Sequence, residues 1–111
     1  MNHTDNIGGL TPETLRKLRE IFLTFPSVAE VILYGSRAKG SYRPGSDIDI
    51  TLKGEKLNTK DIVKLDNMID DLLLPWIFDI SIYDRIKNDD LISHIDRVGI
   101  TIYQREPVPS P

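Results

Sequence analysis

The chain has 111 residues and a mass of 12.6 kDa, the size of one compact domain. Hydrophobic residues make up 40% and charged residues 28%, proportions that exclude disordered and membrane-embedded classes, and the absence of cysteine excludes disulfide scaffolds, thiolate zinc sites and cysteine nucleophiles. A net charge of −3 and a pI near 5.3 argue against a protein that grips nucleic acid through its whole surface. The two histidines, His3 and His94, are too far apart in sequence for a local metal cluster. Met1–Leu10 lacks the basic-then-apolar pattern of a signal peptide, and the longest apolar stretch, Leu72–Phe78, is broken by Pro75, far short of a membrane span. A cytoplasmic location is expected.

In chain order, Thr11-Pro12-Glu13 reads as a helix start, with a hydroxyl cap, a proline in the first turn and an acid at the positive dipole end. Leu15, Leu18, Ile21, Phe22 and Phe25 recur at helical spacing until Pro26. Val28–Tyr34 is a β-branched apolar run that predicts a buried strand, followed by Gly35-Ser36 and a basic, glycine-containing stretch that predicts a short helix and turn. Ser46–Lys53 alternates with period two, as a half-buried strand does. Thr59 is expected to cap a second long helix, carrying Ile62, Leu65, Met68, Ile69 and Leu72 on one face and ending at Pro75. Trp76–Tyr83 predicts a third strand, Asp89-Asp90 opens a final helix that Gly99 terminates, and Ile100–Tyr103 predicts a last strand. The fold class is α/β, a small sheet with helices packed against it over residues 11–104, and residues 105–111 read as a disordered proline-rich tail.

Chemistry concentrates between Tyr34 and Leu52. Gly35-Ser36 stands where a strand hands over to a helix, a turn whose free N–H groups suit a phosphate; glycine permits close approach and the Ser36 hydroxyl adds a donor. Arg37, Lys39 and Arg43 supply cations nearby, with Arg37 and Lys39 the better candidates for nucleotide binding and Arg43 equally consistent with a solvated charge. Gly35 and Gly40 have the spacing of a Walker loop, but Ser41-Tyr42 stands where Lys-Ser/Thr is required, so that motif is rejected; no dinucleotide fingerprint is present either. Asp47 and Asp49, two apart on a strand, face one side with their Cα atoms about 6.6 Å apart. Such a pair can bracket two divalent ions, and hard oxygen donors favour magnesium, although Asp-x-Asp is also common on solvated strands. Asp79 interrupts an apolar run, where a carboxylate is costly unless paired, hydrogen-bonded or metal-bound; a salt bridge is the plain alternative.

Together, Gly35-Ser36, ten intervening residues and Asp47-Ile48-Asp49 resemble the signature of the nucleotidyltransferase superfamily related to DNA polymerase β, and most closely its minimal nucleotidyltransferase (MNT) family. The resemblance spans roughly residues 11–104 and includes Leu74–Asp79, where that family carries its third carboxylate. It implies a mixed sheet of the nucleotidyltransferase fold, a Gly35-Ser36 turn that holds the triphosphate of ATP, and two magnesium ions on Asp47, Asp49 and Asp79. It further implies AMP transfer to a hydroxyl, expected to be a tyrosine, of a HEPN-domain toxin that the MNT protein neutralises. Asp79 is the candidate to accept the hydroxyl proton. Larger members use further domains to bind the acceptor, so a partner or a second protomer is expected to complete the site. Two other readings stay open: an antitoxin that acts by occlusion alone, and a small-molecule adenylyltransferase of the antibiotic-modifying type.

Overall fold

The computed structural model describes residues 6–106. His3 and tail residues 107–111 lie outside them. Helix α1 spans Pro12–Leu23, capped by Thr11, whose hydroxyl accepts the Thr14 N–H at 3.2 Å. Its buried residues Leu15, Leu18, Ile21 and Phe22 lie on one stripe. Strand β1 is Glu30–Tyr34, and after Gly35 comes the single turn α2, Ser36–Lys39, closed by Gly40 in the left-handed conformation.

Strand β2 is Ile48–Lys53, two residues shorter than the alternation predicted. Ser46 and Asp47 belong instead to a turn in which the Arg43 N–H donates to the Ser46 hydroxyl and the Ser46 N–H to the Arg43 carbonyl. Helix α3, Thr59–Asp70, is capped by Asn58 rather than Thr59: the Asn58 side chain accepts the Asp61 N–H at 3.0 Å, a role for which asparagine outranks threonine. The helix stops five residues before Pro75, because Leu73 adopts a left-handed conformation with φ 56°. Strand β3 is Phe78–Ile82, followed by a 3₁₀ turn at Tyr83–Arg85. Helix α4, Asp89–Val98, is capped by Asn88, and β4 is Ile100–Gln104. Arg105, placed by sequence in the tail, is tied down: it donates to the carbonyls of Leu23, Phe25 and Val28.

The four strands form one mixed sheet in the order β3-β2-β1-β4, with β1 antiparallel to β2 and β4, and β2 parallel to β3. Alternation divides its side chains between two faces. Val31 and Leu33 of β1, with Ile48, Ile50 and Leu52 of β2, enter the main core against α1 and α3, where each fully buried aliphatic side chain contributes roughly 1.5–3 kcal/mol. Ile32 and Tyr34 face the other way and pack on Ile95 of α4. The second face is therefore covered by one helix, and its far end stays open. Among the described residues no helix is long and apolar enough to cross a membrane.

Candidate functional site

The open end of the second face lies where β1 hands over to α2. Gly35 has φ 74° and ψ −157°, a conformation that side chains rarely adopt, and a Cβ added there would collide with the carboxylate oxygen Oδ2 of Asp49. Asp49 thus sits directly on the glycine backbone. The Gly35 carbonyl accepts the Lys39 N–H at 3.1 Å, and the Gly35 N–H donates to Nε2 of His94 at 3.0 Å. Ser36, half-buried, is the first residue of α2.

The strand registers gather the carboxylates. Asp49 pairs with Tyr34 across the antiparallel ladder and with Asp79 across the parallel one, which sets Asp49 and Asp79 level on neighbouring strands about 4.8 Å apart. Asp49 is half-buried and its carboxyl is raised above the usual range, first by burial, then by the negative charges of Asp79 and Asp47. Burial also raises the Tyr34 phenol, against a lowering hydrogen bond with Ser81, and the charges of Asp79 and Asp49 raise it further. Asp49 therefore feels the charge of both other acids. Asp47, however, is exposed in the turn before β2 rather than on the strand, so the expected strand-borne pair is replaced by one strand residue and one turn residue. Among the described residues, no three His, Cys, Asp or Glu side chains form a ready-made metal cage. Asp79 also departs from the burial inferred from its apolar flanks. It is exposed, because Phe78 and Ile80 turn to the core face of an edge strand while Asp79 turns to the open one.

The cations divide. Lys39 and Arg43 are exposed. Arg37 is buried, at 3% exposure, and its guanidinium donates to the carbonyls of Gly8 (2.8 Å), Pro44 (3.1 Å) and Ser46 (2.9 and 3.1 Å). It is flanked by the rings of Tyr42 and Trp76, 4.7 and 5.4 Å from their centroids, and the Trp76 indole N–H donates to the Pro44 carbonyl. The expected phosphate contact of Arg37 is thus replaced by a structural one: it holds the loop that leads to Asp47.

His94 is the site residue that sequence reasoning passed over. A single histidine on an amphipathic helix carries no local signal; only the packing of α4 on β1 brings it to Gly35. A cavity lined by Arg16, Arg19, Glu20 and Tyr103 and another lined by Pro26, Ala29, Gly54 and Glu55 include none of Asp47, Asp49 and Asp79. The acidic cluster is open to solvent.

No curated protein matches the chain in sequence. Among solved structures, a toxin–antitoxin with AMP-PNP superimposes with a TM-score of 0.67 at 18% identity, covering 83% of this chain and 74% of that one. A mutant of the toxin–antitoxin MntA–HpeT gives 0.66 at 16% identity over the same shares. The tri-AMPylated HEPN toxin of Shewanella oneidensis in complex with MNT antitoxin gives 0.57 at 17% identity, over 84% of this chain and 69% of that one. At such identities the likeness speaks for the fold. Residues 16–108 match the family described as Polymerase beta, Nucleotidyltransferase. With that match spanning most of the chain, and a strand–Gly-Ser–helix turn seated against an aspartate of the next strand, the protein belongs to the polymerase-β nucleotidyltransferase family.

Proposed function

We propose that this chain transfers AMP from Mg-ATP to a tyrosine hydroxyl of a HEPN-domain toxin and neutralises it as its antitoxin. The observation that carries the reading is the seating of the Asp49 carboxylate on the Gly35 backbone, with Asp79 level beside it. A phosphate turn and a set of metal-binding oxygens then meet at one point. Likeness to toxin–antitoxin structures, one with AMP-PNP and one with a tri-AMPylated toxin, supports the choice of nucleotide and acceptor.

In this reading Asp47, Asp49 and Asp79 hold magnesium, two ions in all, and their hard, mutually repelling oxygens fit that cation. Held by these carboxylates, magnesium would supply positive charge against the α-phosphate. Gly35 lets the triphosphate approach the backbone; Ser36 and Lys39 supply donor and cation. The acceptor oxygen bonds to the α-phosphorus, the bond to pyrophosphate breaks, and the phenolic proton passes to Asp79, the exposed carboxylate. Arg37 contributes by holding the loop before Asp47. The open site favours a protein acceptor, which brings its own walls, over a small molecule, which needs an enclosing pocket.

The test uses the chain co-expressed with the HEPN-domain protein encoded beside it. Intact-mass spectrometry is expected to show one or a few AMP additions with Mg-ATP, and none for Asp47→Asn/Asp49→Asn, which keeps volume but removes metal-holding charge. The double variant still co-purifies with the partner, because interface energy resides in packed anchors rather than in these acids. A double variant that protects cells as well as the wild type would establish occlusion as the mechanism instead.

A further inference from the structure

We propose that His94 is a positioning residue of the nucleotide site, its Nε2 accepting the Gly35 N–H and holding the strand–helix turn in the form that receives phosphate. The inference rests on the nucleotidyl-transfer reading of this site and adds to it a residue from an element that the Gly-Ser and Asp-x-Asp motifs do not include.

Glycine has the widest backbone freedom of any residue, so a glycine at φ 74° holds one conformation only if its neighbours impose it. Gly35 is gripped from three directions. The Lys39 N–H of α2 donates to its carbonyl, the Asp49 carboxylate of β2 lies on its Cα, and His94 of α4 accepts its N–H at 3.0 Å. The first two grips come from within the Gly35–Asp49 segment, whereas the third comes from 59 residues downstream and, of the three, is the one that fixes the amide.

The histidine is itself held. Ile95, the next residue, is 2% exposed and packs on Ile32 and Tyr34 of β1, which sets the rotation of α4. The imidazole also meets the Tyr34 ring edge-on, with centroids 6.2 Å apart and planes at 78°. Helix α4 is started by Asn88, whose side chain accepts the N–H groups of Asp90 and Leu91. An imidazole nitrogen that accepts carries no hydrogen, so the ring proton sits on Nδ1. An ordinary packed histidine has no need of that tautomer or of a glycine amide as its donor.

Two isosteres separate this role from simple packing. Glutamine places its side-chain oxygen near the position of Nε2, whereas asparagine reaches only that of Nδ1. Calorimetry with Mg-ATP is expected to give His94→Gln a dissociation constant within about threefold of wild type, and to give His94→Ala and His94→Asn a loss of about tenfold, the worth of one hydrogen bond. Hydrogen exchange at the Gly35 amide, followed by NMR without nucleotide, is expected to stay slow in His94→Gln and to quicken in His94→Ala. Wild-type affinity in His94→Ala, or a loss in His94→Gln as large as in His94→Asn, would overturn the proposal. If His94→Ala does not fold, the glutamine–asparagine pair decides alone. A wild type that binds no Mg-ATP overturns the nucleotide reading, and the anchor is then judged on amide exchange: equal rates in wild type and His94→Ala overturn it as well.

Discussion

At the scale of single residues, Asp49 is placed at a cost to the folded protein. Its carboxyl is raised above its usual 3.8 by burial, then by Asp79 and Asp47, so the folded chain holds the Asp49 proton more tightly than the unfolded chain does. Stability linked to this group is therefore full in acid and declines as pH rises from about 3.8 through the higher folded value. At neutral pH the charged Asp49 destabilises the metal-free fold. Asp49→Asn is expected to melt above wild type at pH 7 without magnesium, and the difference is expected to vanish as pH falls below that window. Thermal melts at several pH values check it; a variant that melts lower at pH 7 would contradict the assignment. An acid placed where its charge harms stability fits the metal-binding role proposed for Asp49.

At the scale of elements, the loop between α2 and β2 is held by one buried cation. Among the described residues Arg37 has no acidic partner; backbone carbonyls of Gly8, Arg43, Pro44 and Ser46 and two aromatic rings replace it. Arg37→Met would leave several of those carbonyls without donors and is expected to cost about 2–4 kcal/mol, read from urea denaturation. Arg37→Lys should recover little, because a point ammonium cannot span carbonyls that a planar fork reaches together. The loop from Leu72 to Ile77 follows similar logic. Trp76 is tied to Pro44 and Arg37, while Leu73, at φ 56°, and Ile77 remain 88% and 72% exposed on either side.

At the scale of the whole molecule, the two faces of the sheet divide the labour. Helices α1 and α3 bury one face and supply the core; α4 covers only part of the other, leaving the end that carries Asp49 and Asp79 open. The chain is net negative and Asp47, Asp49 and Asp79 lie at this end, so free ATP, itself an anion, meets repulsion that magnesium removes. Millimolar Mg-ATP is expected to raise the melting temperature, ATP with a chelator to leave it nearly unchanged, and Asp47→Asn to abolish most of the rise. No shift in wild type with Mg-ATP would count against a nucleotide site.

Several elements are legible in residue order because their causes are local. Thr11-Pro12-Glu13 starts α1 through its own hydroxyl and dihedral, the β-branched run to Tyr34 has no polar stripe to be anything but a buried strand, and Gly35-Ser36 with the later Asp47 and Asp49 is a pattern of spacing. Where local signals compete, the reading slips by a residue or two, as at Asn58 against Thr59 and at Ser46 against Ile48. What tertiary structure alone decides is which side chains face what. Asp79 looks costly within Trp76–Ile80, yet an edge strand with one open face leaves it solvated. Arg37 looks like a phosphate ligand beside Lys39, yet the fold turns it inward, and His94 gives no sign of itself until α4 lies across β1. Sequence carries the periodicities and the caps, which act over a few residues. Burial, charge coupling and the meeting of α4 with the Gly35 turn depend on contacts between segments far apart in the chain, 59 residues for His94 and Gly35 and 82 for Arg105 and Leu23, and those exist only once the sheet has formed.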